Sequence, residues 1–379
     1  MLARTLYSEE HEMFRDSVRR FFEKELAPHH DEWQKNRLVP REFWLKSGEQ
    51  GLLCPQVPAE YGGPGGDYRY LPIVSEEFAR IGASGPNFGV HSDITAQYIL
   101  NYGTEEQKKT WLPKMVSGEV IAGIAMTEPG AGSDLQGVRT TAVRDGDEYV
   151  INGSKIFITN GISADLILVV AKTDPKAGAK GTSLILVEAI REGFRKGRNL
   201  EKMGLKAQDT AELFFDDVRV PMSNLLGGAE NMGFVQLMQE LPQERLSIAT
   251  WAMGGAQAAF DLANAYVKDR KAFGKAIAEF QNTRFVLADL KTQIEAGWAF
   301  HDKCAALHCE HKLDAAGAAM VKLWTTEMQG RVVDACLQLF GGYGYMMEYK
   351  IAQLYVDARV QRIYGGTSEI MKELISRSL

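Results

Sequence analysis

The residues best suited to chemistry lie in Met238-Gln239-Glu240-Leu241-Pro242-Gln243-Glu244-Arg245-Leu246-Ser247. Glu244 stands beside an arginine at the foot of a strongly periodic helix. A carboxylate in an apolar neighbourhood can accept a proton from a substrate. Pro242 fits best in a first helical turn, where its missing N–H would be unpaired; deeper in a helix it makes a kink. The plainest local reading is a capping pair, with acids near a helix N-terminus favouring the dipole. On this stretch alone the capping reading prevails.

Five other segments carry ligand-binding chemistry. Ala125-Met126-Thr127-Glu128-Pro129-Gly130-Ala131-Gly132-Ser133-Asp134-Leu135-Gln136-Gly137 leaves a strand for a tight loop. It is no dinucleotide fingerprint: Leu135 stands where a third glycine is needed, and no crossover helix follows. Its glycines still let backbone approach a flat or phosphorylated ligand, and Thr127 and Ser133 add hydroxyls. Phe157-Ile158-Thr159-Asn160-Gly161 puts an aromatic and a hydroxyl at a strand end. Asp269-Arg270-Lys271-Ala272-Phe273-Gly274 reads as a charged helix end closed by glycine. Gln338-Leu339-Phe340-Gly341-Gly342-Tyr343-Gly344-Tyr345 and Ile363-Tyr364-Gly365-Gly366-Thr367-Ser368-Glu369-Ile370 complete the set. Singly, each reads equally well as helix terminators and turns. His301, Cys304, His308, Cys309 and His311 look metal-like, but no fourth ligand at the usual spacing accompanies them. They read as structural, and no metal is expected.

The elements that must position these residues fall into three zones. Residues 1–118 form a helical domain. Ser8 caps a first helix carrying Phe14, Val18, Phe21, Phe22 and Leu26 at helical spacing, and Thr104-Glu105-Glu106-Gln107 is a capping box. Between them, helices are expected over Pro40 to Gly51, Leu71 to Ile81 and Val90 to Tyr102. Residues 119–232 form a β domain of short strands: Ile121 to Met126, Thr140 to Arg144, Glu148 to Ile151, Ile156 to Thr159, Leu166 to Ala171, Ser183 to Val187 and Leu213 to Phe215. Asp145-Gly146 and Asn152-Gly153 signal hairpin turns. With no long helices between strands, an antiparallel barrel or sandwich is expected. Residues 233–379 read as a helical bundle: Phe234 to Arg270, Gln281 to Cys309, Asp314 to Phe340, Ile351 to Arg362, and a last helix from Thr367.

Bulk properties narrow the function classes. A chain of 379 residues, 45% hydrophobic and 24% charged, suits a soluble multidomain protein. A formal net charge of −6 argues against a general nucleic-acid binder. Cys54, Cys304, Cys309 and Cys336 form no C-x-x-C, which points to a reducing compartment. No apolar run approaches the ~18 residues of a membrane span. The N-terminus has neither signal-peptide nor transit-peptide character, so a cytoplasmic location is expected, with a processed mitochondrial matrix protein as the alternative. Asn152-Gly153-Ser154 is better read as a turn than as a glycosylation acceptor.

In this order and at these separations, the segments resemble the acyl-CoA dehydrogenase family over essentially the whole chain. The strand–loop segment satisfies that family's signature, and the Gln338 segment fits the C-terminal signature except at Gln353, where the family usually has Lys or Arg. Met203 to Phe215, Leu241 to Leu246 and Tyr364 to Leu374 most resemble the long-chain branch. The resemblance implies an α+β multidomain fold with an N-terminal α-helical domain, a middle β-barrel-like domain and a C-terminal four-helix bundle, assembled as a homotetramer (a dimer of dimers). It implies FAD between the middle domain and the bundle. Ile124, Ala125, Met126, Thr127, Phe157, Ile158 and Thr159 would border the isoalloxazine, with Ser133 near both cofactor and CoA. Arg270, Phe273, Gln281, Gln338, Leu339, Phe340, Gly341 and Gly342 would meet FAD across a subunit interface, and Thr367, Ser368 and Glu369 would add a further contact.

The implied reaction is α,β-dehydrogenation of a fatty acyl-CoA to its trans-2-enoyl-CoA, with electrons passed to an electron-transfer flavoprotein. Many members carry the base just before Gly-Thr in the last segment, where this chain has Gly365. In the long-chain and isovaleryl branches the base comes from the helix carrying Glu244, and Glu244 falls at that position. Gly365 leaves room for it, and its backbone N–H is expected to serve as an oxyanion donor. Glu240 and Glu369 are the rival carboxylates. Arg245 would orient the base, meet substrate or serve only as a salt-bridge partner. Gly365 and Gly366 would touch substrate, and His91 and Thr95 would line the far end of its pocket. Medium-to-long straight acyl chains are expected. The alternatives are a short branched substrate, an oxidase passing electrons to oxygen, and a catalytically silent binding or assembly protein.

Overall fold

The computed structural model describes residues 2–379. Its first zone is helical: α1 (Glu9–Phe21), α2 (His30–Asn36), α3 (Arg41–Glu49), α4 (Tyr70–Arg80), α5 (Ala96–Tyr102) and α6 (Glu105–Val116). The Thr104 hydroxyl accepts from Gln107 N–H and the Thr104 N–H donates to Gln107 Oε1 in return, so the sequence-predicted capping box starts α6. Two wider, π-helical segments occur here: Phe22–Leu26 continues α1, and Gly89–Thr95 runs directly into α5. Such segments are uncommon and concentrate at functional sites.

The middle zone is a curled seven-stranded sheet: β1 (Ala122–Ala125), β2 (Thr141–Asp145), β3 (Glu148–Thr159), β4 (Leu166–Lys172), β5 (Thr182–Glu188), β6 (Phe194–Asn199) and β7 (Thr210–Pro221). The spatial order is β1-β4-β2-β3-β7-β6, with β5 also on β4. Three features differ from the expectation. The sheet is mixed, because β1 lies parallel to β4. Asn152-Gly153 is not a turn: β3 runs through it and absorbs it as a bulge against β7. Asn152 and Asp217 exchange two hydrogen bonds there, each 2.9 Å, so pairing with a distant strand overrides the local turn signal. The polar strand β6 carries no apolar alternation and is held by β7 instead.

The last zone is α7 (Gly233–Asp269), a short hairpin of β8 (Lys271–Ala272) and β9 (Lys275–Ala276), α8 (Gln281–Cys309), α9 (Ala315–Leu339), α10 (Lys350–Ala358) and α11 (Ser368–Ser376). The three zones match the expected architecture: N-terminal helices, a curled central sheet and a C-terminal helical domain. One apolar core runs from Val18, Phe22 and Trp44 through Phe78 and Tyr98 into Ile151, Leu166–Ala171 and Leu184–Val187 of the sheet. A second, with Met253, Ala259, Ile294, Met328 and Leu354, lies inside the bundle.

Helix α7 joins the two cores. It is buried nearly all round, as a helix at the centre of a large domain must be. A β-carbon at Gly254 would meet the Ala79 side chain at 2.7 Å, so α4 and α7 pack with almost no gap. The helix begins well before Pro242, which sits in its interior. Glu244 is therefore no N-cap residue, and the capping reading fails. Pro242 withdraws one N–H from the helical ladder two residues before Glu244.

Candidate active site

Five polar residues of α7, Glu240, Gln243, Glu244, Arg245 and Ser247, are buried within two helical turns. Buried polar groups need partners, and most of these are found on the N-terminal helices. Glu240 Oε1 accepts from Asn101 Nδ2 at 2.9 Å, and Glu244 Oε1 accepts from Tyr98 O–H at 2.8 Å. Gln243 donates to the Asp93 carbonyl at 2.9 Å and accepts from His308 Nε2 at 3.0 Å. Ser247 O–H donates to the Asp93 carboxyl.

Glu244 has a proton affinity suited to catalysis at neutral pH. Burial pushes its carboxyl up to about 7; the Tyr98 hydrogen bond opposes this, Glu240 adds to it, and Arg245 opposes it. A base poised there is ionised at working pH yet still accepts a proton. Asp93 is likewise pushed up to about 7 by burial, with Ser247 opposing. Burial holds Arg245 below the usual guanidinium range, and its Nε is buried without a partner.

Gly365 lies against the next turn of α7. Its backbone is left-handed, with φ 62°, and an added β-carbon would lie 2.2 Å from Ile248 Cδ1. Ile248 is one turn beyond Glu244 and so on the same side of the helix. A side chain at 365 would crowd Ile248, which is the physical content of a glycine there. The adjoining Gly366 carbonyl accepts from the buried Lys322 Nζ at 2.6 Å, anchoring the turn to α9. Thr367 then caps α11 by accepting from Ile370 N–H, and the buried Ser368 donates to Glu327 at 2.6 Å. Glu369 is exposed.

The pocket-end residues behave differently from expectation. His91 is wholly buried; Nε2 donates to the Met115 carbonyl and Nδ1 accepts from Ala122 N–H. Both ring nitrogens are spent, so His91 ties α6 to β1 and has no nitrogen for a ligand. Burial drops its proton affinity to about 4. The buried Thr95 hydroxyl donates back to the Val90 carbonyl within the π-helical segment. The suspected metal cluster is also engaged elsewhere. His301 meets Thr250 at 2.8 Å and Asp302 at 3.0 Å, and His308 meets Gln243.

The other ligand segments line up along the sheet edge and the bundle surface. Ile124, Met126 and Thr127 are half-buried and Ala125 is buried at the end of β1. The following loop is pinned by Glu128, whose carboxylate accepts from Arg139 N–H, Thr140 N–H and hydroxyl, and Lys155 Nζ. Ser133 is exposed on that loop. Phe157, between half-buried Ile156 and buried Ile158, has φ 62° and is 64% exposed. A large ring held out on left-handed backbone serves no core, and suits the wall of a site for a planar ligand. Ile158 is buried, and Thr159 accepts from Gln208 at 3.3 Å.

The Asp269–Gly274 segment is more than a helix end. Phe273 and Gly274 both have positive φ and form the two-residue turn of the β8–β9 hairpin. Phe273 is 95% exposed at its tip. Arg270 stacks at 5.4 Å on Tyr343, which places the hairpin base beside Gly341–Tyr345. Gln281, Gln338, Gly341 and Gly342 are exposed, Leu339 is half-buried, and buried Phe340 stacks on Tyr266. Gln353, the signature departure, makes a surface contact, donating to Met347 and accepting from Gln34.

Sequence reasoning missed Tyr98, Asn101, Glu128, Lys155 and Lys322. A lone tyrosine or lysine in a helix or strand carries no local sign of a partner 27 to 146 positions away. Glu128 alone had a signal, an acid inside a glycine-rich loop.

Comparison with known proteins agrees with the fold. The acyl-CoA dehydrogenase N-terminal domain matches residues 8–119, the middle domain residues 123–218 and the C-terminal domain residues 231–379. The mitochondrial long-chain specific acyl-CoA dehydrogenase of Sus scrofa is 55% identical over 378 residues, 99% of this chain and 88% of that protein. A short-chain specific acyl-CoA dehydrogenase of Clostridium acetobutylicum is 39% identical, covering 97% of each chain. Among solved structures, an acyl-CoA dehydrogenase from Geobacillus kaustophilus superposes with TM-score 0.97 at 51% identity, covering 99% of both chains. A glutaryl-CoA dehydrogenase from Mycobacterium smegmatis in complex with FADH2 superposes with TM-score 0.92 at 28% identity, covering 98% of this chain and 95% of that one. Fold, site layout and full-length similarity lead to one conclusion: this chain belongs to the acyl-CoA dehydrogenase family and is an FAD-dependent oxidoreductase.

Proposed function

We propose that the protein dehydrogenates medium-to-long straight-chain acyl-CoA to trans-2-enoyl-CoA, with Glu244 as the base and electrons passing to an electron-transfer flavoprotein. The observation that carries the reading is Glu244 itself: a buried carboxylate on α7, held by one neutral donor, with the glycine turn at 365 on the next helical turn. Glu244 removes the α-proton of the thioester in a water-poor site. The Gly365 N–H, which has no backbone acceptor among the described residues, would polarise the thioester oxygen. Bound FAD supplies the hydride acceptor. Phe157, the β1 end from Ile124 to Thr127 and Thr159 would hold its flat portion, and Ser133 would stand near the CoA. Arg245, with its unpartnered Nε, would meet substrate, since a buried donor without an acceptor is costly.

The exposed Phe273 hairpin and the neighbouring Gly341–Tyr345 surface favour a homotetramer in which these residues, Arg270, Gln281 and Gln338 reach the cofactor of another subunit. Exposed large apolar side chains grouped in this way mark association surfaces. Thr367, Ser368 and Glu369 would add a contact near the same cofactor. The 55% identity to a long-chain enzyme supports the chain-length assignment. Four free cysteines, three of them buried, support a reducing, cytoplasmic setting. Among the described residues no helix is long and apolar enough to cross a membrane.

Anaerobic flavin reduction across acyl-CoAs of graded length and branching tests the proposal. An optimum at straight medium-to-long chains is expected. A clear optimum at a short branched chain would overturn the substrate assignment, and no reduction by any acyl-CoA would overturn the activity. Rapid peroxide formation under air would replace the flavoprotein acceptor with oxygen.

A further inference from the structure

The carboxylate of Glu244 is held by a helix from the other end of the chain. Three residues on one face of α5 meet three residues on one face of α7. Tyr98 donates to Glu244 at 2.8 Å, Asn101 to Glu240 at 2.9 Å and Tyr102 to Gln239 at 3.1 Å. The order reverses along the two helices, so the contact is an antiparallel ladder with Glu244 at its inner end. Tyr102 lies at the half-exposed outer end, whereas Tyr98 is wholly buried. A buried phenol needs an acceptor. The acceptor here is Glu244 Oε1, and Glu244 Oε2 receives no hydrogen bond from the described residues.

We infer that Tyr98 is a positioning residue for Glu244, engaging Oε1 so that the side chain keeps one orientation and Oε2 is presented to the substrate proton. This rests on Glu244 being the base. Only one lone pair of the carboxylate is taken, and by a neutral donor, so the group is steered without being neutralised. The other groups facing it are few. Glu240 and Arg245 share its helix, Asp93 turns to Ser247, and Lys322 on α9 reaches Gly366. The outermost rung, Tyr102 to Gln239, joins the same helices and touches neither oxygen of Glu244, which makes it an internal control.

The test compares Tyr98→Phe, Tyr102→Phe and Glu244→Gln in the holoenzyme. It uses the pH dependence of kcat/KM with a straight-chain acyl-CoA and anaerobic flavin reduction. A hydrogen bond to the charged form favours it, so Tyr98→Phe should move the acid limb upward by about one pH unit. At pH values below the limb that is about tenfold in kcat/KM, carried by kcat more than KM. Tyr102→Phe should leave the limb where it is. Partial unfolding lowers the amplitude without moving the midpoint, and flavin content on the same samples measures it. An unmoved limb in Tyr98→Phe, or an equal shift in Tyr102→Phe, overturns the inference while leaving the base intact. Glu244→Gln that still bleaches the flavin overturns the base assignment itself.

Discussion

Two buried glutamates on adjoining helices, Glu76 of α4 and Glu244 of α7, have opposite surroundings. Glu76 is enclosed by cations: Arg4 reaches both its oxygens at 2.9 Å, Arg15 donates at 2.7 Å, and Tyr7 adds a fourth bond at 2.8 Å. Arg4 also bonds Asp302 of α8 and stacks at 3.9 Å on Trp298. Burial alone would raise the Glu76 carboxyl, yet Arg4 and Arg15 hold it below the usual carboxylate range. Glu244 has one neutral partner and is pushed up to about 7 by burial. One carboxylate is permanently charged and ties the N-terminal arm, α1, α4 and α8 together. The other can gain and lose a proton at neutral pH. The same side chain in the same degree of burial serves structure or chemistry according to whether cations accompany it.

The largest effect that would sharpen this contrast is loss of catalysis in Glu244→Gln. Removing a general base costs about 10²- to 10⁴-fold, read as the rate of anaerobic flavin reduction by acyl-CoA, with melting temperature unchanged or higher. A near-normal rate would make Glu244 merely another buried acid. Glu76→Gln should do the reverse. It leaves the buried Arg15 and the half-buried Arg4 with weaker partners, which costs about 3–5 kcal/mol of stability, seen by denaturant unfolding, while kcat/KM of the folded fraction is retained.

The pH dependences should separate in the same way. Glu244 is the active form when ionised, so kcat/KM should fall about tenfold per unit below about pH 7. Neither glutamate lowers stability over the same range. The depressed Glu76 contributes stability above its unfolded value of 4.5, and loses it only as pH falls through its lower folded value. The raised Glu244 has the opposite sign, opposing folding increasingly between 4.5 and about 7, so acidification relieves it. Activity should therefore fall about a hundredfold between pH 7 and 5, while any melting-temperature advantage of Glu244→Gln over the unsubstituted protein should shrink over the same range; an advantage that grows on acidification would break the comparison. The smallest effect is expected at Gly365→Ala. Strained left-handed backbone and crowding of Ile248 should cost about 1–3 kcal/mol, and adding Ile248→Ala should restore part of it in a double-mutant cycle.

Much of the fold was legible because periodicity is local. The apolar spacing in α1, the capping box of α6 and the long bundle helices were read from neighbouring residues, and each formed near the expected place. The failures share a cause. Asn152-Gly153 has every local mark of a turn, but β7 pairs across it from more than sixty positions away. The polar strand β6 exists only because β7 receives it. Pro242 suggests a helix start, but the packing of α7 against α4 and α9 keeps the helix intact on both sides of it. His91 was expected at a pocket end; it is instead a wholly buried link between Met115 and Ala122.

What the sequence determined by itself was the identity of the parts: the three zones, the glycine-rich segments, the glycine at 365 and the carboxylate at 244. Those depend on residue type and spacing along the chain. Tertiary structure decided how Glu244 behaves. Its burial, its one neutral donor from Tyr98 and the nearness of the Gly365 turn come from elements more than a hundred residues away on either side. A carboxylate's proton affinity is set by the solvent it loses and the charges it meets, and neither is encoded by its neighbours in sequence.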